Sequence, residues 1–206
     1  MKEFFSYLWV EATELVSFFV TVSLLQNVIL TTGFGSSLML HTVRKPKNIW
    51  LFSGILGVFS VLTVTIAYPL DLWLGTGLDK LWRPFMMLVI TTVLYIAANL
   101  LLPKFAPDFY AKTSRMLPLA AFNNLVTGIA LVCNAHITDS NLFTNIGLAI
   151  GSCLSFGLIT RLVAEGIERM DNPDMPETFR GMPSILVYVG ILALAIMGFV
   201  SDFSYL

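Results

Sequence analysis

Six long apolar stretches, each nearly free of charged residues, follow one another along the chain. They run from Leu15 to Gly33, Ile49 to Tyr68, Pro84 to Leu102, Leu117 to Cys133, Phe143 to Val163 and Pro183 to Val200. A helix of about 20 apolar residues is needed to cross a hydrocarbon core about 30 Å thick. The pattern therefore predicts an all-α integral membrane protein with six transmembrane helices in a single membrane domain.

The composition supports a membrane environment. Hydrophobic residues make up 56% of the 206 residues, charged residues make up 12%, and the mean hydropathy is +0.80. Because an ordinary soluble domain carries roughly 25% charged residues, a soluble fold would lack the polar surface to cover six apolar helices. We therefore expect contact with membrane lipid along most of the chain.

The basic residues are divided unequally between alternate loops. Nine of the twelve lie at the end of, or after, the first, third and fifth stretches: Arg44, Lys45, Lys47, Lys104, Lys112, Arg115, Arg161, Arg169 and Arg180. Lys2, Lys80 and Arg83 fall on the opposite side. Since cytoplasmic loops are enriched in Lys and Arg, this division places the odd-numbered loops in the cytoplasm and both termini on the outer face.

The first and fourth stretches contain similar polar motifs. Each has an amide pair, then apolar residues, then Thr-Gly, in residues 26–33 and again in residues 123–128. Because three helices, an odd number, separate the two motifs, the second three-helix unit would be inverted in the membrane relative to the first. Many transporters have such inverted repeats. The sequence thus predicts two inverted three-helix repeats, about 1–105 and about 106–206, with helices one and four interrupted.

The polar residues of these motifs are candidates for a site near the bilayer midplane. They are Asn27, Thr31, Thr32, Gly33, Asn123 and Asn124. Interruptions around Gly33 and Gly128 are expected to leave free backbone groups at membrane depth, which face an ion, a cofactor or each other. Asn27 and Asn123 should then face inward, because an unpaired amide in hydrocarbon costs several kcal/mol. The alternative is that these residues only hold neighbouring helices together.

Other reactive residue types give no pattern of a catalytic or metal site. Cys133 and Cys153 lie inside predicted helices, outside any CxxC motif, and are expected to pack as small apolar side chains. His41 and His136 have no second ligand at metal spacing. No phosphate-binding loop, nucleophile motif or basic-aromatic pattern for nucleic acid is present in the sequence, so a stand-alone enzyme is not expected.

Charged residues gather where the fifth stretch ends. Arg161 and Glu165 stand four residues apart, so they can pair on one helix face, and Glu168 and Arg169 follow. The pair is either an ordinary interfacial ion pair or part of a cytoplasmic gate or subunit contact, because charges near the membrane are often functional.

A motif in the C-terminal third resembles that of a known family. Residues 168–181, ERMDNPDMPETFRG, and the later residues 196–199, IMGF, resemble the ER…VP…RG…MGF signature of Rnf/Nqr membrane subunits, most closely the RnfA/NqrE branch. Further matches run along the chain at Asn27, Trp82, Arg83, Pro107, Tyr110 and from Leu117 through Asn123.

This resemblance implies a subunit of a redox-driven Na⁺ or H⁺ pump in a bacterial inner membrane. It also implies six helices in inverted repeats, a sister subunit of opposite orientation, and further complex subunits. Two cysteines from each sister would hold one [2Fe-2S] cluster. The implied cytoplasmic contact surface consists of Glu168, Arg169, Phe179, Arg180 and Gly181.

The chain departs from the family pattern at the cluster positions. The first family cysteine falls on Ser37 and the second on Asn124, and neither side chain supplies a thiolate. Cys133 lies about 13 Å further along the helix, and Cys153 is on another helix. We therefore expect this chain to hold no cluster. A family glutamate late in the third helix falls on Asn99, which joins the midplane candidates.

Two other interpretations remain open at the level of sequence. A relative of the family that has lost redox chemistry would keep the scaffold as an ion or small-molecule transporter or as a structural partner. An unrelated small transporter would share the C-terminal motif by coincidence.

Overall fold

A computed structural model describes residues 13, 16, 33, 35–43, 48–74, 82–135, 142–170, 176 and 181–203. This described part of the chain is helical and contains no strand. Its helices are α1 Ser36–Thr42, α2 Ile49–Leu74, α3 Trp82–Phe105, α4 Pro107–Thr113, α5 Leu117–Ala121, α6 Asn124–Ala135, α7 Leu142–Met170 and α8 Met182–Phe203. The prediction of an all-α fold is confirmed for these residues.

Three of the helices are long and apolar enough to cross a membrane by themselves. These are α2, α3 and α7. A fourth candidate is a bent pair, α4 with the segment Leu117–Cys133, whose axes differ by 71°. The apolar part of α8, Met182–Gly198, is shorter. The described residues thus contain three or four candidate spans, and most of the predicted first span lies outside them.

The observed helices extend beyond the apolar stretches that predicted them. The second stretch becomes α2, which continues past Tyr68 through Pro69 to Leu74. The fifth becomes α7, which continues past Val163 to Met170. Hydropathy detects only the part of a helix that lies in hydrocarbon, whereas the hydrogen-bonded backbone continues into the interfacial layer.

The fourth stretch is broken, but not at the predicted place. Gly128 lies inside α6, so the interruption expected there is wrong in position. The helix instead ends at Ala121, and Phe122 leaves the helical conformation with φ −92° and ψ 32°. Asn123 then caps α6, since its Oδ1 accepts a hydrogen bond of 3.3 Å from the Leu125 N–H.

The core of the bundle is built around α7, which packs most extensively on α2. The Phe156 side chain is fully buried, and its ring centroid lies 5.9 Å from that of Phe52. Glycines allow the two helices to approach closely: a Cβ at Gly157 would lie 3.0 Å from the Ser53 Oγ. Small residues at helix contacts are typical of membrane bundles, where close backbone approach replaces the hydrophobic effect.

Candidate functional site

Two helix starts that are distant in sequence meet in the structure. Gly33 and Gly35 have φ values of +75° and +79°, and α1 begins immediately afterwards at Ser36. The Gly35 N–H donates a hydrogen bond of 2.8 Å to the Oδ1 of Asn124, the first residue of α6. We call this contact, with Ser37 and Asn123 beside it, the helix-start junction. It connects the first half of the chain to the second through an uncharged side chain.

Glycine is required at position 35 for two reasons. Its left-handed backbone costs other residues about 1–2 kcal/mol. A Cβ there would also lie 3.1 Å from the Leu125 Cδ1 and 3.3 Å from the Leu125 Cβ. Gly33 shares the backbone conformation, but a Cβ at that position would meet nothing within 4 Å. Gly35 is thus packed tightly against Leu125 of α6.

The junction borders a small polar cavity. The cavity has a volume of about 370 Å³ and is lined by Ser37, Leu38, Leu119, Phe122, Asn123 and Asn124. Ser37 and Asn124 are exposed, whereas Asn123 is buried. The Asn123 Nδ2 is buried without a hydrogen-bond partner, although its Oδ1 caps α6. The described walls of the cavity therefore offer hydroxyl and amide groups and carry no formal charge.

Asn99 lies apart from this cavity. Its Oδ1 accepts a hydrogen bond of 3.1 Å from the Tyr110 hydroxyl of α4, and its Nδ2 donates to the Tyr95 carbonyl at 3.1 Å. Tyr95 contacts Phe122, with ring centroids 5.3 Å apart. Of the predicted midplane set, Asn123 and Asn124 line the cavity, Gly33 precedes α1 without lining it, and Asn99 lies elsewhere. The remaining members, Asn27, Thr31 and Thr32, lie outside the described residues.

The charged end of α7 is exposed. The Arg161 Nε lies 3.0 Å from the Glu165 Oε1, so the predicted ion pair forms. Both side chains are about half exposed, 46% and 53%, and pairs of this kind contribute little stability. Glu168 and Arg169 are exposed in the last turn.

The other predicted members of this contact surface follow α7 in the chain. Gly181, with φ +85°, directly precedes α8. Phe179 and Arg180 lie outside the described residues.

Residues 15–201 match the model of the Rnf-Nqr subunit family, a family of membrane proteins. The chain belongs to the Rnf-Nqr family. The match covers most of the chain, and the resemblance seen in the C-terminal motif is confirmed.

Curated relatives within the family agree along nearly their whole length. A Pasteurella multocida protein, named as the A component of an ion-translocating oxidoreductase complex, is 26% identical over 191 residues, which are 91% of this chain and 97% of the relative. An Actinobacillus pleuropneumoniae protein of the same name is 27% identical over 183 residues, 87% of this chain and 93% of the relative. A Salmonella paratyphi B protein, also of that name, is 26% identical over 192 residues, 91% and 96%.

The two cysteines of this Rnf-Nqr chain make their hydrogen bonds with residues outside the junction. Both are buried and free. The Cys133 Sγ donates to the Asn145 carbonyl at 3.8 Å, and the Cys153 Sγ lies 3.5 Å from the Ser60 Oγ. Neither lines the junction cavity. Their expected packing as small buried side chains is confirmed.

The donor groups at the junction do not fit an iron–sulfur cluster. Such a cluster is held by thiolates, whereas Ser37 offers a hydroxyl and Asn124 an amide. The amide oxygen of Asn124 is already bonded to the Gly35 N–H. Across the described residues, no group of three His, Cys, Asp or Glu side chains is placed to hold a metal ion.

The hydrogen bond that joins the two helix starts was not predictable from local sequence. The amide acceptor of Asn124 and the buried N–H of Gly35 are 89 positions apart, and no local pattern connects them. Leu119 and Phe122 were likewise not foreseen as cavity walls. The closely spaced glycines at 33 and 35 were the one available signal, because such pairs often mark left-handed backbone before a helix start.

Proposed function

We propose that this chain is a membrane subunit of an Rnf/Nqr-type electron transport complex that translocates Na⁺ or H⁺, and that it supplies no ligands to an iron–sulfur cluster. The observation that carries this proposal is the family match over residues 15–201. The name of the relatives, which describes one component of an ion-translocating oxidoreductase complex, supports membership of such an assembly.

The proposed role of the junction is structural. Where the family resemblance implies thiolates, this chain has Ser37 and Asn124, and the Asn124 Oδ1 holds the Gly35 N–H at 2.8 Å. Neither a hydroxyl nor an amide changes oxidation state under cellular conditions. Electrons that cross the complex would therefore use other subunits, while this chain keeps the two helix starts in register.

The proposed topology is a pair of inverted three-helix repeats, about 1–105 and about 106–206, with both termini on the outer face of a bacterial inner membrane. The distribution of Lys and Arg supports this orientation. Each repeat contributes one helix start to the junction, Ser36 from the first and Asn124 from the second. A site shared by both repeats is the usual consequence of inverted symmetry.

We assign contacts with the sister and other subunits of the complex to the cytoplasmic surface that begins with Glu168 and Arg169 and continues to Phe179, Arg180 and Gly181. Exposure of Glu168 and Arg169 in the last turn of α7 supports this assignment. Charged residues at a polar interface mainly guide association and orientation.

A redox-silent transporter or structural partner is the second candidate function. The absence of a thiol from the cavity walls favours it. The unpartnered Asn123 Nδ2 favours it as well, because a neutral polar cavity suits an uncharged or hydrated solute better than an electron carrier.

Co-isolation from native membranes distinguishes the two functions. An affinity-tagged chromosomal copy, extracted in mild detergent, should bring with it flavin-binding and ferredoxin-like subunits identifiable by mass spectrometry. The variant Arg169→Glu should weaken this association. Arg161→Gln is the matched control, because the Arg161 guanidinium is already paired within α7. Isolation without any redox subunit would contradict the complex and favour the transporter.

A further inference from the structure

A long apolar groove lies between α2 and α3. Its volume is about 660 Å³, and side chains of α4 and α5 complete its wall. Representative lining residues are Ile55, Leu62, Leu94, Leu101, Phe109 and Leu117. Small residues leave the space open: Gly54 and Ala98 both line the groove, and a Cβ at Gly54 would meet nothing within 4 Å.

Two lysines follow residues that line this groove by about one helical turn. Lys104 follows the lining residue Leu101 by three positions on α3, and Lys112 follows the lining residue Phe109 by three positions on α4. Residues three apart lie on the same helix face, so each lysine stem continues the line of a groove residue. Both lysines are exposed. The groove thus combines an apolar lining with two exposed lysines about one turn further along α3 and α4.

We propose that this groove binds one acyl chain of an anionic phospholipid, with the lipid phosphate against Lys104 and Lys112. An apolar body with a negative head is the chemistry that matches an apolar channel with a basic end. Lys104 and Lys112 also belong to the basic residues that the positive-inside rule assigns to the cytoplasmic side. Anionic lipid headgroups on that side attract cationic side chains.

Charge, rather than chain burial, sets the selectivity of this site. The bilayer interior is as apolar as the groove. Moving an acyl chain from the bilayer into the groove therefore gives little hydrophobic gain. Each lysine near an anionic head is expected to favour it about fivefold. The wild-type site should therefore prefer anionic over zwitterionic lipid by about 25-fold when both lysines act.

Native mass spectrometry of the protein released from nanodiscs tests this proposal. Discs containing equal amounts of phosphatidylglycerol and phosphatidylcholine should yield a protein that retains one phosphatidylglycerol. The double variant Lys104→Gln, Lys112→Gln should lose the preference, while Arg161→Gln, which removes an exposed charge on α7, should keep it. Gly54→Leu adds a side chain at a residue that lines the groove, where a Cβ meets nothing within 4 Å, and should reduce retention of both lipids.

Three results would overturn the proposal. The lysine double variant keeps its preference for phosphatidylglycerol, or Arg161→Gln lowers that preference equally, or Gly54→Leu retains lipid like the wild type. The lysine substitutions change exposed side chains, so loss of folding does not obscure the first comparison.

Discussion

Replacing Asn124 with leucine should destabilise the protein by removing the acceptor of the helix-start junction. The hydrogen bond from the Gly35 N–H is 2.8 Å long, and Gly35 is buried. A buried donor left without an acceptor costs about 1–3 kcal/mol. The unfolding equilibrium constant should therefore rise about 5- to 140-fold.

Asn124→Asp is the matched control. The carboxyl group keeps an oxygen in the position of the amide acceptor, and a negative charge at the first residue of α6 is favourable beside the free N–H groups of a helix N-terminus. The aspartate variant should therefore remain much closer to the wild type than the leucine variant.

Unfolding in mixed micelles provides the measurement. The fraction of folded protein is followed by tryptophan fluorescence as the denaturing detergent is increased, and the free energy of unfolding is compared among the wild type and the Asn124→Leu and Asn124→Asp variants. Equal stability of Asn124→Leu and the wild type would refute the structural role of the junction. Equal loss in both variants would show that the acceptor oxygen is not the stabilising group.

Three further predictions concern other features of the fold. Gly35→Ala should destabilise more than Gly33→Ala in the same unfolding assay, because both have positive φ but only position 35 also crowds a neighbouring side chain; equal effects would leave backbone strain as the whole cause. Gly166→Ala should destabilise because its Cβ would overlap the Tyr188 ring, and Tyr188→Ala should largely rescue it, whereas additive losses would show that the ring is not the obstacle. Tags at both termini should report the outer face while a label in residues 44–47 is protected from outside, and a cytoplasmic C-terminus would contradict the proposed topology.

The membrane-spanning nature of the chain was predictable from sequence because hydropathy is a local property. Ile49 begins both the predicted second stretch and α2, and the fifth and sixth stretches begin within one residue of α7 and α8. Local composition also located the two cysteines inside helices, and both are buried.

The break in the fourth stretch was not predictable in the same way. Thr127 and Gly128 looked like a helix end, yet both lie inside α6, where Gly128 is buried in the bundle. The actual break at Phe122 and Asn123 lies among tertiary contacts. The Phe122 ring packs against Tyr95, and the side-chain amide of Asn124 accepts a hydrogen bond from the Gly35 N–H. Such contacts connect residues far apart in sequence, so a motif within one helix does not reveal them.

The short helix α4 was also missed. Pro107 and Tyr110 fall between the predicted third and fourth stretches, but Pro107 occupies the first turn of a helix, where its missing N–H is harmless. The Tyr110 hydroxyl then reaches Asn99. This contact explains why Asn99 lies with the α3–α4 connection rather than in the junction cavity.

The most direct test of the central claim is an electron paramagnetic resonance spectrum of the complex isolated anaerobically, reduced, and compared with the Cys133→Ser, Cys153→Ser double variant. We expect no [2Fe-2S] signal assignable to this chain and identical spectra for the two proteins, because neither thiol lines the junction cavity. A cluster signal that disappears in the double variant would contradict this expectation.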